Sequence, residues 1–202
     1  MSQIALPLDL RTRTDPERIV IGNANLRVLD ALQSPASWPF RTAVLTGPAR
    51  SGKSLLGRWA AGQGIAVIDN AETVAEDRLF HRWNAAQEDG ASLLLVANRQ
   101  PWLIELPDLR SRLGGSLQLE IGDPDDEMTG QLLQGLADQH GLILSDAAIA
   151  YLVPRIERSF TGIENVVAAI DRLSLERKTP PTMSIWRDAL EQIQGPEQSR
   201  LL

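Results

Sequence analysis

The chain has 202 residues, 43% of them hydrophobic, with a formal charge of −6, a pI near 5.0 and no cysteine. That length and apolar fraction suit one α/β core with a small helical appendage, and the lack of cysteine removes disulfide and thiolate chemistry. An acidic chain has no surplus of Lys and Arg to displace counterions from phosphates, which argues against strong direct nucleic-acid binding; no secretory signal and no apolar run of membrane-spanning length are present, so the reading is a cytoplasmic protein without a membrane role.

Residues 1–15 have no helical period, and Pro7 and Pro16 bracket a charged stretch, so they read as an extended tail. Apolar residues from Asn23 to Leu32 recur at helical spacing, and Pro35 and Pro39 close that segment. Thr42 to Thr46 reads as a short strand, followed by a helix from about Ser54 to Ala61 that Gly62 and Gly64 stop. Ile65 to Asp69 is expected as a buried strand ending in an acid, then a helix from Ala75 to Glu88. A strand over Ser92 to Ala97, a short helix over Leu106 to Leu113 and a strand over Ser116 to Ile121 follow. Strands alternating with helices imply a parallel sheet covered on both faces. After Asp123-Pro124-Asp125-Asp126 only helices are expected: Glu127 to His140, Ser145 to Arg158, Gly162 to Arg177 and Ser184 to Gln194, with Ser145 as a cap. The divisions are a tail (1–15), an α/β part (16–122) and a helical lid (123–202).

The most informative run is Gly47-Pro48-Ala49-Arg50-Ser51-Gly52-Lys53-Ser54, which fits the phosphate-loop pattern GxxxxGK[ST] and follows a predicted strand. Glycines let backbone N–H groups converge on phosphate oxygens, Lys53 neutralises β/γ charge, and the Ser54 hydroxyl suits Mg²⁺. Lys53 is expected to be exposed in the loop, so that Lys53→Ala would remove nucleotide affinity with little loss of fold. The apolar strand ending at Asp69 supplies a Walker B carboxylate that would hold the same Mg²⁺. Asn70 follows, where ATPases of this type often carry a second acid; an amide cannot accept the proton of an attacking water, so intrinsic hydrolysis should be weak. Asn98 and Arg99 sit just beyond a strand end, either to sense γ-phosphate or simply to turn the chain toward Pro101. Arg110 and Arg112 lie on the short helix before the last strand, either reaching a phosphate on a neighbouring protomer or forming a solvated basic face. His81 and His140 lie far apart without a second ligand at metal spacing.

Together these residues resemble the DnaA-type branch of the AAA+ ATPases, from about Arg18 to Leu190. Arg18 to Asn25 resembles the branch's adenine-side box, which implies Ile19, Val20 and Asn23 as nucleotide contacts; residues 47–54 resemble its Walker A loop, and Leu109-Arg110-Ser111-Arg112-Leu113 the box that carries its arginine finger. Within the branch the sequence is similar to the Hda family of DnaA-related regulators. Gln3-Ile4-Ala5-Leu6-Pro7-Leu8 resembles that family's clamp-binding hexapeptide QLxLPL, with Gln3, Ile4, Leu6, Pro7 and Leu8 as the implied contacts. The resemblance implies a P-loop AAA+ sheet with a helical lid, and a chain that stops where the helix-turn-helix domain of DnaA would begin. ADP or ATP with Mg²⁺ is the implied cofactor, and DnaA and the DNA polymerase III sliding clamp (its β subunit) are the implied partners. Arg112 is the implied finger acting in trans on DnaA-bound ATP. The sequence departs from the branch in three places. The interval from Lys53 to Asp69 is too short for the usual further strand and helix, so the sheet should lack one edge strand; Glu164 stands where the sensor-2 arginine is expected, with Arg158 and Arg172 as possible substitutes; and Asn70 replaces the second acid. A self-contained ATPase or small kinase, and an interaction module with a purely structural loop, are the alternatives.

Overall fold

The structure, a computed structural model, describes residues 19–98 and 101–195. It divides into two compact units, one ending at Gly122 and one beginning at Asp123. The first unit opens with α1 (Leu26–Leu32), then β1 (Thr42–Thr46), α2 (Lys53–Gly62), β2 (Ala66–Ile68), α3 (Glu76–Glu88), β3 (Leu93–Val96), α4 (Pro107–Gly114) and β4 (Leu117–Glu120). The four strands form one parallel sheet in the order β2-β3-β1-β4.

The central strands β1 and β3 are buried along nearly their whole length, which is why both read as unbroken apolar runs rather than alternating ones. Val44, Leu93 and Leu95 face a cluster with Leu79 and Trp83 of α3 and Leu109 and Leu113 of α4. On α2, a Cβ at Gly57 would lie 3.3 Å from Val96 and 3.4 Å from Val67, so the absence of a side chain there lets the helix approach the sheet. The sequence reading of a buried strand ending at Asp69 needs correction. β2 is an edge strand of three residues with Ala66 exposed and Val67 and Ile68 half-buried, because among the described residues only β3 pairs with it.

The second unit contains α5 (Asp126–Gln139), α6 (Asp146–Leu152), α7 (Phe160–Arg177) and α8 (Met183–Gln194). Their apolar stripes meet in a separate core that includes Leu133, Leu152, Ile163, Ile170 and Trp186. Three helices start on side-chain caps, with Asp125 accepting from Met128 N, Ser145 from Ala148 N and Ser159 from Gly162 N. The helix expected over Ser145 to Arg158 ends early: α6 gives way to a 3₁₀ turn at Val153–Arg155, since Pro154 has no N–H to continue the ladder. No helix among the described residues is long and apolar enough to cross a membrane.

Two glycine substitutions should move stability in opposite directions. Gly57→Val forces branched carbons into Val96 and should lower the melting temperature, at a cost of about 1–3 kcal/mol. Gly135→Ala, inside α5 with nothing within 4 Å of the added carbon, should raise it by about 0.5–1 kcal/mol. Thermal denaturation of both variants beside the native chain checks the pair.

Candidate nucleotide site

The loop from Gly47 to Gly52 joins the end of β1 to the start of α2. Its shape depends on two backbone positions. Gly47 has φ +152, and a Cβ there would meet Ile121 Cβ at 2.9 Å and Ile121 O at 3.0 Å, so only glycine fits against the segment leaving β4. Gly52 has φ +84 and forms the N-cap of α2, turning the chain so that the first amides of the helix face the loop. Arg50 also takes a left-handed conformation, φ 63.

Lys53 is not exposed as the motif suggested: it is 3% accessible, and its ammonium donates to Gly47 O at 2.9 Å and Pro48 O at 2.6 Å. Two of its three N–H groups therefore hold the loop closed, and the third remains for a phosphate oxygen. Burial pushes the Lys53 ammonium below its usual range, while Glu72 and then Asp69 oppose that shift. Ser51 Oγ is buried without a hydrogen-bond partner among the described residues. A spare ammonium N–H, a buried hydroxyl lacking a partner and the free amides at the start of α2 make a donor-rich concavity, which fits a phosphate. Pro48 and Ser54 are half-buried there, while Ala49 and Arg50 are exposed.

Asp69 leaves the end of β2 exposed, with one carboxylate oxygen accepting from Asn70 N at 2.9 Å. With Ser54 it is the pair that would hold Mg²⁺ beside a bound nucleotide, where the ion would neutralise phosphate charge. Among the described residues no group of three or more His, Cys, Asp or Glu could hold a metal on its own, so phosphate oxygens and waters would complete the coordination. Asn70 is left-handed, φ 51 and ψ 43, and its side-chain oxygen accepts from Asn98 Nδ2 at 2.8 Å. The structure thus joins the sensor candidate Asn98 to the residue standing in for the second acid. Glu72, which sequence reasoning missed, sits in the 3₁₀ turn Ala71–Thr73 with Oε2 buried. An acid three positions after Asp69 was the only signal for it.

At the adenine-side box, Ile19 is buried, Val20 half-buried and Asn23 exposed. Asn25 fixes this stretch. Its side chain accepts from Gly22 N at 3.0 Å and donates to Val20 O at 2.8 Å, and it is itself only 3% exposed. Arg112 is elsewhere, on α4: its guanidinium carbon lies 4.4 Å from the ring centres of both Phe80 and Trp83, and it donates to Asn84 Oδ1. Arg110, two residues earlier, is exposed. Glu76 holds the approach to α4, accepting from Glu105 N at 2.9 Å and Leu106 N at 2.6 Å. In the second unit Glu164 lies on α7; Arg158 pairs with Asp126 at 2.8 Å and Arg172 donates to Gln192 at 2.6 Å. Gln3, Ile4, Leu6, Pro7 and Leu8, together with Arg99, lie outside the described residues.

The burial of Lys53 changes what its removal should do. Lys53→Ala leaves two carbonyls without their donor, so it should cost about 1–3 kcal/mol of stability as well as nucleotide affinity. Calorimetric titration with ADP and thermal melting of the same sample read the two effects. Equal ADP affinity in the variant would remove the assignment of residues 47–54.

No family model matches the chain. It is 30% identical over 133 residues to the chromosomal replication initiator protein DnaA of Lactiplantibacillus plantarum, an alignment covering 64% of this chain and 29% of that protein. The chain thus spans about three tenths of the length of the curated relatives it matches. Among solved structures, domain III of Thermotoga maritima DnaA superposes with a TM-score of 0.71 at 12% identity, covering 88% of this chain and 95% of that one. AMPPCP-bound DnaA from Aquifex aeolicus superposes with a TM-score of 0.60 at 18% identity, covering 84% and 69%. The four-stranded parallel sheet, its phosphate loop and these likenesses show an AAA+ P-loop fold, with sequence similarity to the replication initiator DnaA over 133 residues.

Proposed function

We propose that the chain is a nucleotide-binding regulatory adaptor of chromosomal replication initiation, of the Hda type, working in the cytoplasm. It holds ADP or ATP with Mg²⁺ at residues 47–54, docks on the sliding clamp through Gln3 to Leu8, and stimulates hydrolysis of ATP bound to DnaA. The observation that carries the regulatory reading over a self-contained ATPase is the Asn70–Asn98 pair. Neither amide can take a proton from water, and Asn70 Oδ1 already accepts from Asn98 Nδ2. The loop then serves to hold a nucleotide rather than to turn it over.

In this reading Arg112 supplies the transition-state charge in trans, a contribution worth about 10³–10⁵ in rate in GTPase systems. To do so it must leave the rings of Phe80 and Trp83. Its own-chain contacts support a second reading, in which Arg112 is structural and the module holds DnaA without accelerating it. The two readings separate in one experiment. With DNA-loaded clamp present, Arg112→Ala should keep nucleotide and clamp binding, lose about 0.5–2 kcal/mol of stability with its ring contacts, and fail to stimulate hydrolysis of DnaA-bound ATP. Stimulation at the native rate would leave sequestration as the function.

The docking claim has its own test. Changing Leu6 and Leu8 to Ala should abolish clamp binding while leaving ADP affinity intact, because an extended peptide concentrates its affinity in a few apolar anchors. Undiminished clamp binding, read by surface plasmon resonance, would refute it.

A further inference from the structure

Glu72 presents a buried carboxylate oxygen, Oε2, that has no hydrogen-bond donor among the described residues. Burying a charged acceptor without a donor is costly, so such an atom in a binding cleft signals that its donor arrives with a ligand. The turn that carries it is built to hold it in place. Asn70 is left-handed, Thr73 Oγ1 donates to Asn70 O at 2.8 Å, Thr73 N donates to the same carbonyl at 2.9 Å, and Ala71 is wholly buried beneath the turn. Asn98 anchors it from the neighbouring strand end. The turn follows directly on Asp69 at the carboxyl end of β2, the end of the parallel sheet from which the phosphate loop also leaves β1, and the Glu72 charge opposes the lowering of the Lys53 ammonium.

A phosphate cannot satisfy Glu72, because it brings no donor and carries the same sign of charge. A magnesium-bound water can: Mg²⁺ keeps several waters when it binds nucleotides, and each offers O–H groups to an outer carboxylate. We propose that Glu72 makes this site selective for the magnesium complex of the nucleotide, accepting a hydrogen bond from a metal-bound water while repelling the metal-free phosphates. This rests on the nucleotide-binding reading and adds a role for a residue outside the loop and the Asp69 strand end. It asks nothing of hydrolysis. A negative charge, which the amide of Asn70 does not carry, is provided three positions after Asp69, at a site suited to ordering a metal water.

The test is calorimetric titration of ADP and ATP into the native chain, Glu72→Gln and Glu72→Ala, each in excess Mg²⁺ and in EDTA. In the native chain Mg²⁺ should strengthen binding. Either substitution should tighten metal-free binding by about tenfold, since a like charge beside the phosphates has gone, and should erase most of the Mg²⁺ enhancement. Glu72→Ala removes the buried oxygen together with the charge, so agreement between the variants excludes an artefact of the amide, and thermal melting without nucleotide confirms that both are folded. If both conditions weaken by the same factor, or the Mg²⁺ ratio is unchanged, Glu72 is only a structural counter-charge for Lys53 and the inference is overturned. If the native chain binds neither nucleotide in either condition, the nucleotide reading itself fails and takes this inference with it.

Discussion

The ammonium of Lys53, held between the carbonyls of Gly47 and Pro48, is the contact on which the candidate nucleotide site depends. A cation with two backbone acceptors draws the loop around itself, so the phosphate cradle is formed before any phosphate enters. Preorganisation of this kind lowers the ordering cost of binding. It also couples the loop to the sheet, since Gly47 lies against Ile121 at the end of β4 and Lys53 begins the helix whose Gly57 rests on Val67 and Val96. A change in strand packing at either place is felt at the cradle.

Arg112 shows a different economy. A guanidinium between two aromatic faces is partly desolvated and well satisfied, and its contacts tie α4 to α3. Phe40, 56% exposed, extends the aromatic surface with its ring centre 6.1 Å from that of Trp83. Any role for Arg112 outside its own chain therefore competes with ring contacts worth about 0.5–2 kcal/mol, which a docking partner must supply.

Much of the fold was legible because its signals are local. The apolar run Thr42 to Thr46, the glycine-lysine spacing of residues 47–54 and the Ser145 cap each depend on a few adjacent residues, and each lies where it was expected. What escaped depends on partners distant in sequence. The motif names Lys53 but not its burial, which comes from the loop folding back over it. Ile65 to Asp69 reads as a buried strand by composition, yet burial needs neighbours on both sides and β2 has one among the described residues. The Arg112 slot left half a signal, Phe80, Trp83 and Asn84 spaced one helical turn apart, with nothing to say which side chain would fill it. Pro154 was a readable stop for α6 that the surrounding apolar stripe obscured.

The edge position of β2 has a kinetic meaning. Asp69 hangs from a strand of three residues paired on one side by a short register, Ala66 with Leu93, Val67 with Leu94 and Ile68 with Leu95. Opening so short a ladder costs far less than unfolding the sheet, so the acid end of the site samples open states that the buried strands β1 and β3 do not. The Asp69 end of the sheet should therefore exchange its amide protons faster than β1 and β3. A ligand that bridges the two sides would act as a clasp, slowing exchange in β2 while leaving the already rigid core almost unchanged.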